Sequence, residues 1–228
     1  MQQKYRHEMK YLITAAQIPM ITNRVRHLLE LDPHVRDNGT YTIRSLYFDD
    51  YENSCYYEND NGTDPREKFR IRIYNGSADR ITLECKRKER GKTMKTSCPL
   101  TREETLLLMQ GEILPNLTSQ PRLLQKLTLQ MMTRHLRPVI IVEYDRIPFV
   151  YSNGNVRITL DMNVAASTDI ASFLDPCIRK RPVMPVNQHL LEVKYDAYLP
   201  DFIYRNLQLQ NLQMTAFSKY YICRKYSR

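Results

Sequence analysis

Basic residues recur at every second position in neighbouring segments that alternate like β-strands, and this pattern strongly constrains the fold. Lys68, Arg70 and Arg72 alternate with apolar residues, and Lys86 and Lys88 repeat the spacing in the next segment. Because successive side chains of a strand point to opposite faces, each segment carries its charges on one face.

This pattern has two interpretations. The first is a solvated sheet face whose charges prevent edge-to-edge pairing with other molecules. The second is a barrel whose charged faces point inward and whose apolar faces are covered by helices. A solvated face gains nothing from so many like charges side by side, so their recurrence favours the barrel. A core of Lys and Arg is stable only when an anion occupies it.

About eight strands are predicted, and Asn-Gly turn signals end the segments near residues 75 and 153. They are expected at residues 5–13, 41–48, 66–74, 80–88, 92–98, 138–151, 155–165 and 188–196. Capping-box spacing at Thr14/Gln17 and Thr101/Glu104 predicts two helices. A further helix is expected at residues 123–135 and two in the tail. The sequence therefore predicts an α+β protein of one domain, residues 1–228, built on a closed or strongly curved antiparallel sheet.

Composition narrows the class of partner. The chain has 34 Lys and Arg against 25 Asp and Glu, a formal net charge of +9, which favours an anionic partner. The hydrophobic fraction of 42% excludes a disordered chain, a collagen and a coiled coil. No apolar run approaches the ~20 residues of a membrane-spanning helix, and no signal-peptide cleavage site follows the first residues. A cytoplasmic protein without its own membrane segment is therefore expected.

The types of polar residue point to phosphate chemistry with a hard metal ion. Five Cys and five His are dispersed without ligand spacing, which argues against zinc and against a disulfide framework. No phosphate-binding glycine loop, serine elbow or base-stacking aromatic ribbon is present, so no nucleic-acid partner is expected. Carboxylates among the basic strands could orient Lys and Arg or bind Mg²⁺ or Mn²⁺. These candidates are Glu8, Glu84, Glu143, Asp161 and Glu192.

Several short motifs occur together in one order and resemble a known family. They are RHEMKY (6–11), SLYFDD (45–50), KFRIRIY (68–74), LECKRK (83–88), EYDR (143–146), VRITLD (156–161), LLEVKY (190–195) and FSKYY (217–221). Over essentially its whole length, the chain resembles the catalytic domain of the vacuolar transporter chaperone (VTC) polyphosphate polymerases, in a compact stand-alone form. That family belongs to the triphosphate tunnel metalloenzymes.

The resemblance implies a closed, eight-stranded antiparallel tunnel barrel with peripheral helices. It also implies transfer of the ATP γ-phosphate onto a growing polyphosphate chain, with Mn²⁺ or Mg²⁺ as cofactor. By position, the catalytic residues of the family fall on Lys10, Arg70, Arg72, Lys86, Lys95, Arg157 and Lys219. Arg146, Lys194, Glu8 and Lys68 are expected to bind substrate. The metal-ligand glutamate falls on Glu192.

The chain departs from the family pattern in several respects. The N-terminal ExExK motif is reduced to Arg6, Glu8 and Lys10, which suits the polymerase branch better than the triphosphatase branch. Arg146 has the opposite parity to Glu143, so only one of them faces inward unless a bulge near residue 148 resets the register. The phosphate-sensor and membrane domains of eukaryotic complexes are missing, so any membrane link requires a separate partner.

Two other functions remain open at this stage, because a fold alone does not select a reaction. One is a tunnel-fold inorganic triphosphatase or nucleoside triphosphatase. The other is a non-catalytic module that binds polyphosphate or RNA. Oligomeric state, product length and the preferred metal are not predicted by the sequence.

Overall fold

Eight strands form one continuous and strongly curled antiparallel sheet. The structure is a computed structural model that describes residues 5–36 and 38–227, except for the Leu117 side chain. The strands run β1-β10-β8-β7-β3-β4-β5-β6 across the sheet. In chain order they are β1 (His7–Thr14), β3 (Tyr41–Asp49), β4 (Arg66–Tyr74), β5 (Ser77–Glu89), β6 (Lys92–Leu100), β7 (Arg137–Tyr151), β8 (Val156–Ser167) and β10 (Gln188–Tyr195). Two short strands, β2 (Glu30–Leu31) and β9 (Arg181–Pro182), pair with β7 and β8.

The curled sheet is an open half-barrel, so the prediction of a closed barrel is wrong in this respect. Its edge strands β1 and β6 meet at one isolated bridge, in which the amide of Arg6 donates to Thr93 at 2.9 Å. In an antiparallel pair, residues after Arg6 lie beside residues before Thr93. Since β6 begins at Lys92, almost none of it remains for β1 to pair with. Side chains cross the gap instead, because Lys86 Nζ lies 2.8 Å from a Glu8 carboxylate oxygen.

Six helices surround the described part of the sheet. They are α1 (Gln17–Val25), α2 (Ser54–Asp60), α3 (Arg102–Met109), α4 (Arg122–Arg134), α5 (Asp201–Leu207) and α6 (Lys219–Lys225). The capping box predicted for α3 is confirmed, with reciprocal hydrogen bonds between Thr101 and Glu104. At α1 only half of the box forms: Thr14 donates to the Gln17 side chain, and the helix begins at Gln17. None of the described helices is long and apolar enough to cross a membrane.

Apolar side chains cover the convex face of the sheet. Phe69, Ile71 and Leu83 belong to a buried cluster that includes residues of α3 and α4, and a second cluster joins α1 and α5 to β1, β8 and β10. A third cluster packs Tyr220 and Cys223 of α6 against the opposite face, beside Tyr144 of β7. Helix α6 therefore enters the concave side, which elsewhere carries the charges.

Candidate active site

A cavity of about 190 Å³ lies in the concave face of the sheet. Ten basic side chains line it, against two carboxylates, Glu8 and Glu192. The basic residues are Lys10, Arg66, Lys68, Arg70, Arg72, Lys86, Lys88, Arg146, Lys194 and Lys219. An excess of eight formal positive charges in one cavity favours a polyvalent anion as its ligand.

The strand register explains why these charges meet. On β4 and β5 the even-numbered residues face the cavity, and Lys68 lies directly opposite Lys86 in the ladder. The intervening Phe69 and Ile71 are buried beneath the helices on the other face. The alternation in the sequence thus predicts correctly that Lys68, Arg70, Arg72 and Lys86 share a cavity.

Arg157 was expected in the same cavity, and that placement is wrong. It pairs with Lys194 in the β8–β10 ladder, and Lys194 lines the cavity. However, Nη2 of Arg157 donates to the carboxylate of Asp32 at 2.6 Å and to the hydroxyl of Tyr41 at 2.9 Å. The side chain is drawn away because Asp32 supplies a counter-charge outside the cavity.

Lys95 likewise does not line the cavity, although it lies close to residues that do. Its side chain is 50% exposed, and Nζ donates to Glu84 at 2.9 Å. The buried Glu84 carboxylate also accepts from Nη2 of Arg70 at 2.6 Å and lies 3.5 Å from Nη1 of Arg72. Glu84 therefore holds three of the predicted phosphate-binding residues in one cluster.

Asp161 likewise holds basic side chains together on β8, where it lies directly opposite the cavity residue Arg146. Its two oxygens accept from Arg146 at 2.6 and 2.7 Å, and Lys219 Nζ lies 2.5 Å from one of them. Burial opposes ionisation of Asp161, but the charges of Arg146 and Lys219 outweigh it and lower the pKa of the carboxyl. The pKa of Glu84 is lowered well below its usual range by Arg72, Arg70 and Lys95 against the same opposing burial. Both carboxylates therefore fix basic side chains while staying ionised.

Glu192 lies in the cavity among four cations. Its oxygens lie 2.7 Å from Lys194 Nζ, 2.9 Å from Lys219 Nζ, 3.5 Å from an Arg146 nitrogen and 3.7 Å from Lys10 Nζ. Burial raises the pKa of Glu192, but these charges outweigh it and hold the pKa well below its usual range. The carboxylate is therefore ionised at neutral pH.

The carboxylates suit a metal ion that also takes phosphate oxygens. In residues 5–36 and 38–227 no three His, Cys, Asp or Glu side chains form a group that could bind a metal by themselves. Mg²⁺ and Mn²⁺ sites often use only one or two carboxylates and complete the shell with phosphate and water. Glu192 and Glu8 are the two carboxylates that line the cavity, and both face one cation, Lys10 Nζ, at 3.7 and 3.0 Å. Hard oxygen ligands grouped in this way beside a phosphate site fit Mg²⁺ or Mn²⁺.

Glu143 faces away from the cavity, as the parity argument requires when Arg146 faces inward. Its carboxylate accepts from Nε of Arg44 at 2.5 Å and also contacts Lys180. The register shift lies between Glu143 and Asp145 in the β7–β8 ladder, where β8 contains an extra residue. The bulge is therefore in β8 and leaves the alternation of β7 from Glu143 to Arg146 intact, so the exception of a bulge near residue 148 does not arise.

Sequence reasoning missed some of the cavity wall. Arg66 lines it and extends the alternating pattern of β4 by one position, so the signal was present. Lys88 also lines it; it belonged to the recognised pattern but was not named as a site residue. Residues 215–218 also line it, and the carbonyl of Phe217 accepts from Lys10 Nζ at 2.7 Å. No sequence pattern indicates that this loop reaches the cavity, because the contact spans 207 positions.

Two cavity lysines have strongly lowered pKa values. Burial, together with the charges of Arg66 and Lys10, lowers the pKa of Lys68 to about 7. Burial and the charges of Lys10 and Lys194 lower the pKa of Lys86 to about 7, although Glu8 opposes this. Without a bound anion, the cavity therefore carries less than its full formal positive charge at neutral pH.

We expect triphosphate binding to take up protons above neutral pH. A bound anion stabilises the ammonium form and raises both lysine pKa values towards about 10, the ordinary value. Below about pH 7 both lysines are already charged, so affinity should fall as pH rises above that value. Calorimetry of tripolyphosphate binding at about pH 8, in two buffers of different ionisation heat, measures the uptake.

The Lys68→Met/Lys86→Met variant provides the control, because the ligand's own protonation is the same for both proteins. The double variant should take up fewer protons than the wild-type chain. Equal proton uptake by the two proteins would contradict this account of the cavity.

Solved structures of low sequence identity share this tunnel fold. A Bacillus halodurans protein provisionally named as an adenylate cyclase is 14% identical and has a TM-score of 0.54, with 92% of this chain and 90% of that chain covered. A Hippeastrum protein described as having a dominant triphosphatase activity is 11% identical and has a TM-score of 0.55, with 98% and 96% covered. A Pyrococcus horikoshii OT3 protein is 15% identical and has a TM-score of 0.50, with 98% and 100% covered.

At these identities the likeness shows the fold alone. No curated protein sequence matches the chain. The sequence profile of the VTC domain matches residues 5–227, which is nearly the whole chain. This match confirms the resemblance that the eight motifs indicated, and the chain therefore belongs to the VTC domain family.

Proposed function

We propose that this chain is a metal-dependent polyphosphate polymerase that transfers the γ-phosphate of ATP onto a polyphosphate chain. The observation that carries the proposal is the cavity lined by ten basic side chains and two carboxylates. Phosphoryl transfer depends mainly on charge neutralisation and in-line positioning, which such a cavity can supply. In this role, residues 1–228 would form a single tunnel domain, and the protein would act in the cytoplasm.

Arg70, Arg72, Lys86 and Lys95 would bind the phosphates of the nucleotide. Glu84 supports three of them, since it contacts Arg70, Arg72 and Lys95 and limits their motion before substrate arrives. A group that is already oriented loses less free energy when the charge of the transition state develops. Lys86 is held in the same way by Glu8 at 2.8 Å.

Lys10, Lys219 and Arg157 would stabilise the charge on the transferred group, and Arg146 would hold the incoming chain. Lys219 and Arg146 share Asp161, which keeps the two proposed roles next to each other. For Arg157 the role requires its guanidinium to leave Asp32 and enter the cavity. Lys194 and Lys68 would add positive charge to the cavity wall and so help to bind substrate. Glu8 would orient Lys10 and Lys86, which it contacts.

No side-chain nucleophile is needed for this reaction. The acceptor is already an anionic phosphate oxygen, so a strong general base is not required. Burial raises the pKa of the Cys85 and Cys223 thiols to about 12, so neither is a thiolate at neutral pH.

Glu192, with Glu8, would hold Mg²⁺ or Mn²⁺ when the metal is bound. The metal would neutralise charge on the phosphate oxygens.

A tunnel-fold triphosphatase is the second candidate. It is supported by the Hippeastrum protein, which has the same fold and a dominant triphosphatase activity. The same cavity could bind the triphosphate while water, rather than a phosphate chain, attacks it. A non-catalytic polyphosphate-binding module is the third candidate and predicts no turnover.

The product of the reaction separates these candidates. With ATP and Mn²⁺, the purified chain should form long polyphosphate on a resolving gel, and the ADP formed should match the phosphate found in polymer. Omission of the metal should abolish both products. Orthophosphate as the only phosphate product would favour the triphosphatase, and no nucleotide turnover would favour the binding module.

A further inference from the structure

Three basic side chains at one end of the cavity form no direct ion pair with a carboxylate in the part of the chain that the structure describes. Arg66, Lys68 and Lys88 all line the cavity, near the end of the sheet where β4 begins and β5 finishes. Lys68 Nζ donates to the side-chain oxygen of Asn59 at 2.9 Å, and Arg66 donates to the carbonyl of Thr63 at 2.7 Å. We call these three residues the outer cluster.

In the rest of the cavity, the basic side chains are paired with carboxylates. Each of the cations that surround Glu84, Asp161 and Glu192 lies within 4.0 Å of a carboxylate oxygen. Within the described ranges, no such ion pair involves a member of the outer cluster. Arg66 and Lys68 instead donate to a carbonyl and to an amide oxygen. Asp49 favours the charged form of Lys68, and Glu8 and Asp64 favour that of Lys88, but without a direct ion pair. The outer cluster is therefore positive charge that the described residues attract from a distance and do not pair.

The strand register makes this arrangement costly unless an anion is bound. Arg66 lies directly opposite Lys88, and Lys68 lies directly opposite Lys86, in the β4–β5 ladder. Like charges at directly opposed positions destabilise a sheet. Arg66 and burial both lower the pKa values of Lys68 and Lys88. An anion bound against these side chains on the cavity face would reduce this repulsion.

The outer cluster also extends the row of phosphate-binding residues. Along β4, Arg66 lies two residues beyond Lys68 and four beyond Arg70 on the same face. Two residues of an extended strand span about 7 Å, so the cluster reaches phosphate units beyond those held by Arg70 and Arg72.

The two aromatic rings that contact Lys68 and Arg70 are buried, Tyr220 at 1% and Tyr47 at 6% exposure, so neither offers a free face to a nucleobase. Lys68 Nζ lies 4.9 Å from the centre of the Tyr220 ring, and the Arg70 guanidinium lies 5.7 Å from that of Tyr47. Recognition of single-stranded nucleic acid normally uses free aromatic faces together with charge. The surroundings of the cluster therefore favour a chain of phosphates over a nucleoside or an RNA strand.

We propose that Arg66, Lys68 and Lys88 form an outer subsite that binds phosphate units of a linear inorganic polyphosphate, beyond the triphosphate held by the inner residues. The inference rests on the proposed function only in placing a triphosphate in the inner part of the cavity. The subsite gives the cavity a preference for long phosphate chains over tripolyphosphate, whether or not the chain is elongated there.

Binding of two phosphate ligands, measured without metal or ATP, tests the subsite. Calorimetry compares tripolyphosphate with a long polyphosphate on the full chain and on Arg66→Gln and Lys88→Gln. Each variant should lose roughly tenfold in affinity for the long chain, the typical effect of one charged hydrogen bond, and change little for tripolyphosphate. Lys92→Gln is the matched control, because Lys92 is exposed on the same hairpin and does not line the cavity.

The outcomes separate this inference from the proposed function. Unchanged affinity of both cavity variants for the long chain overturns the subsite, as does an equal loss for tripolyphosphate. Displacement of the long chain by single-stranded RNA of similar charge, at similar concentration, also overturns it. If the wild-type chain binds neither phosphate ligand, the inner site fails as well. A normal thermal unfolding midpoint for each variant ensures that a loss of affinity reports on the cavity.

Discussion

Replacement of Glu192 by Gln should lower the rate of ADP formation by roughly a hundredfold or more and leave tripolyphosphate binding nearly unchanged. Glutamine has almost the same shape but cannot neutralise the surrounding Lys194 and Lys219, which lie at 2.7 and 2.9 Å. It is also a weaker ligand for a hard metal ion. Because the substitution removes a negative charge, the cavity should still attract a triphosphate.

Initial rates with ATP and Mn²⁺, together with calorimetry of tripolyphosphate in the absence of metal, measure the two effects separately. Glu67→Gln is the matched control, because Glu67 pairs with Lys126 and Arg87 outside the cavity. The control should keep the wild-type rate. Full activity in the Glu192 variant would remove Glu192 from the mechanism, and loss of tripolyphosphate binding would assign it to ligand binding instead.

The strands and the inner row of charges could be predicted because their signals are local. A repeat of two residues assigns both the secondary structure and the face of each side chain, as at Lys68, Arg70 and Arg72. The same reasoning placed Glu143 and Arg146 on opposite faces. Such patterns need only the geometry of a single strand.

The remaining features depend on contacts between distant parts of the chain. Arg157 has the correct parity, yet a carboxylate 125 positions away draws it from the cavity. Closure of the sheet depends on how far β1 and β6 overlap, and hydrophobic alternation carries no information about that stagger. The buried charge of Asp161 is balanced by Arg146 from the next strand and by Lys219 from the last helix. Only the resemblance to a family, and not the alternation, pointed to Lys219.

Arg72→Ala should lower the rate of polyphosphate formation by roughly a hundredfold while the protein stays folded. Arg72 lines the cavity, and its contacts are comparatively weak: Nε lies 3.2 Å from Ser45 Oγ and Nη1 lies 3.5 Å from Glu84. Glu84 keeps Arg70 and Lys95 as counter-charges when Arg72 is removed. The loss should therefore affect the transition state more than the free energy of unfolding.

Lys219→Ala should cause a similar loss of rate and a larger loss of stability. Lys219 is 9% exposed and contacts both Asp161 and Glu192, and these charges raise its pKa although burial opposes them. Removing one member of a buried ion pair typically costs about 3–5 kcal/mol. Arg146 stays on Asp161 and Lys194 on Glu192, so the fold should survive with a lower unfolding midpoint.

Thermal unfolding and initial rates of both variants test this distinction. Lys225→Ala is the control, because it removes the same charge from α6 at an exposed position outside the cavity. The control should match the wild-type chain in both measurements. Rates within a few fold of wild type for Arg72→Ala and Lys219→Ala would show that the transition state does not depend on these cations. If only Lys219→Ala loses activity, in proportion to the fraction unfolded, its role is to neutralise the buried carboxylates.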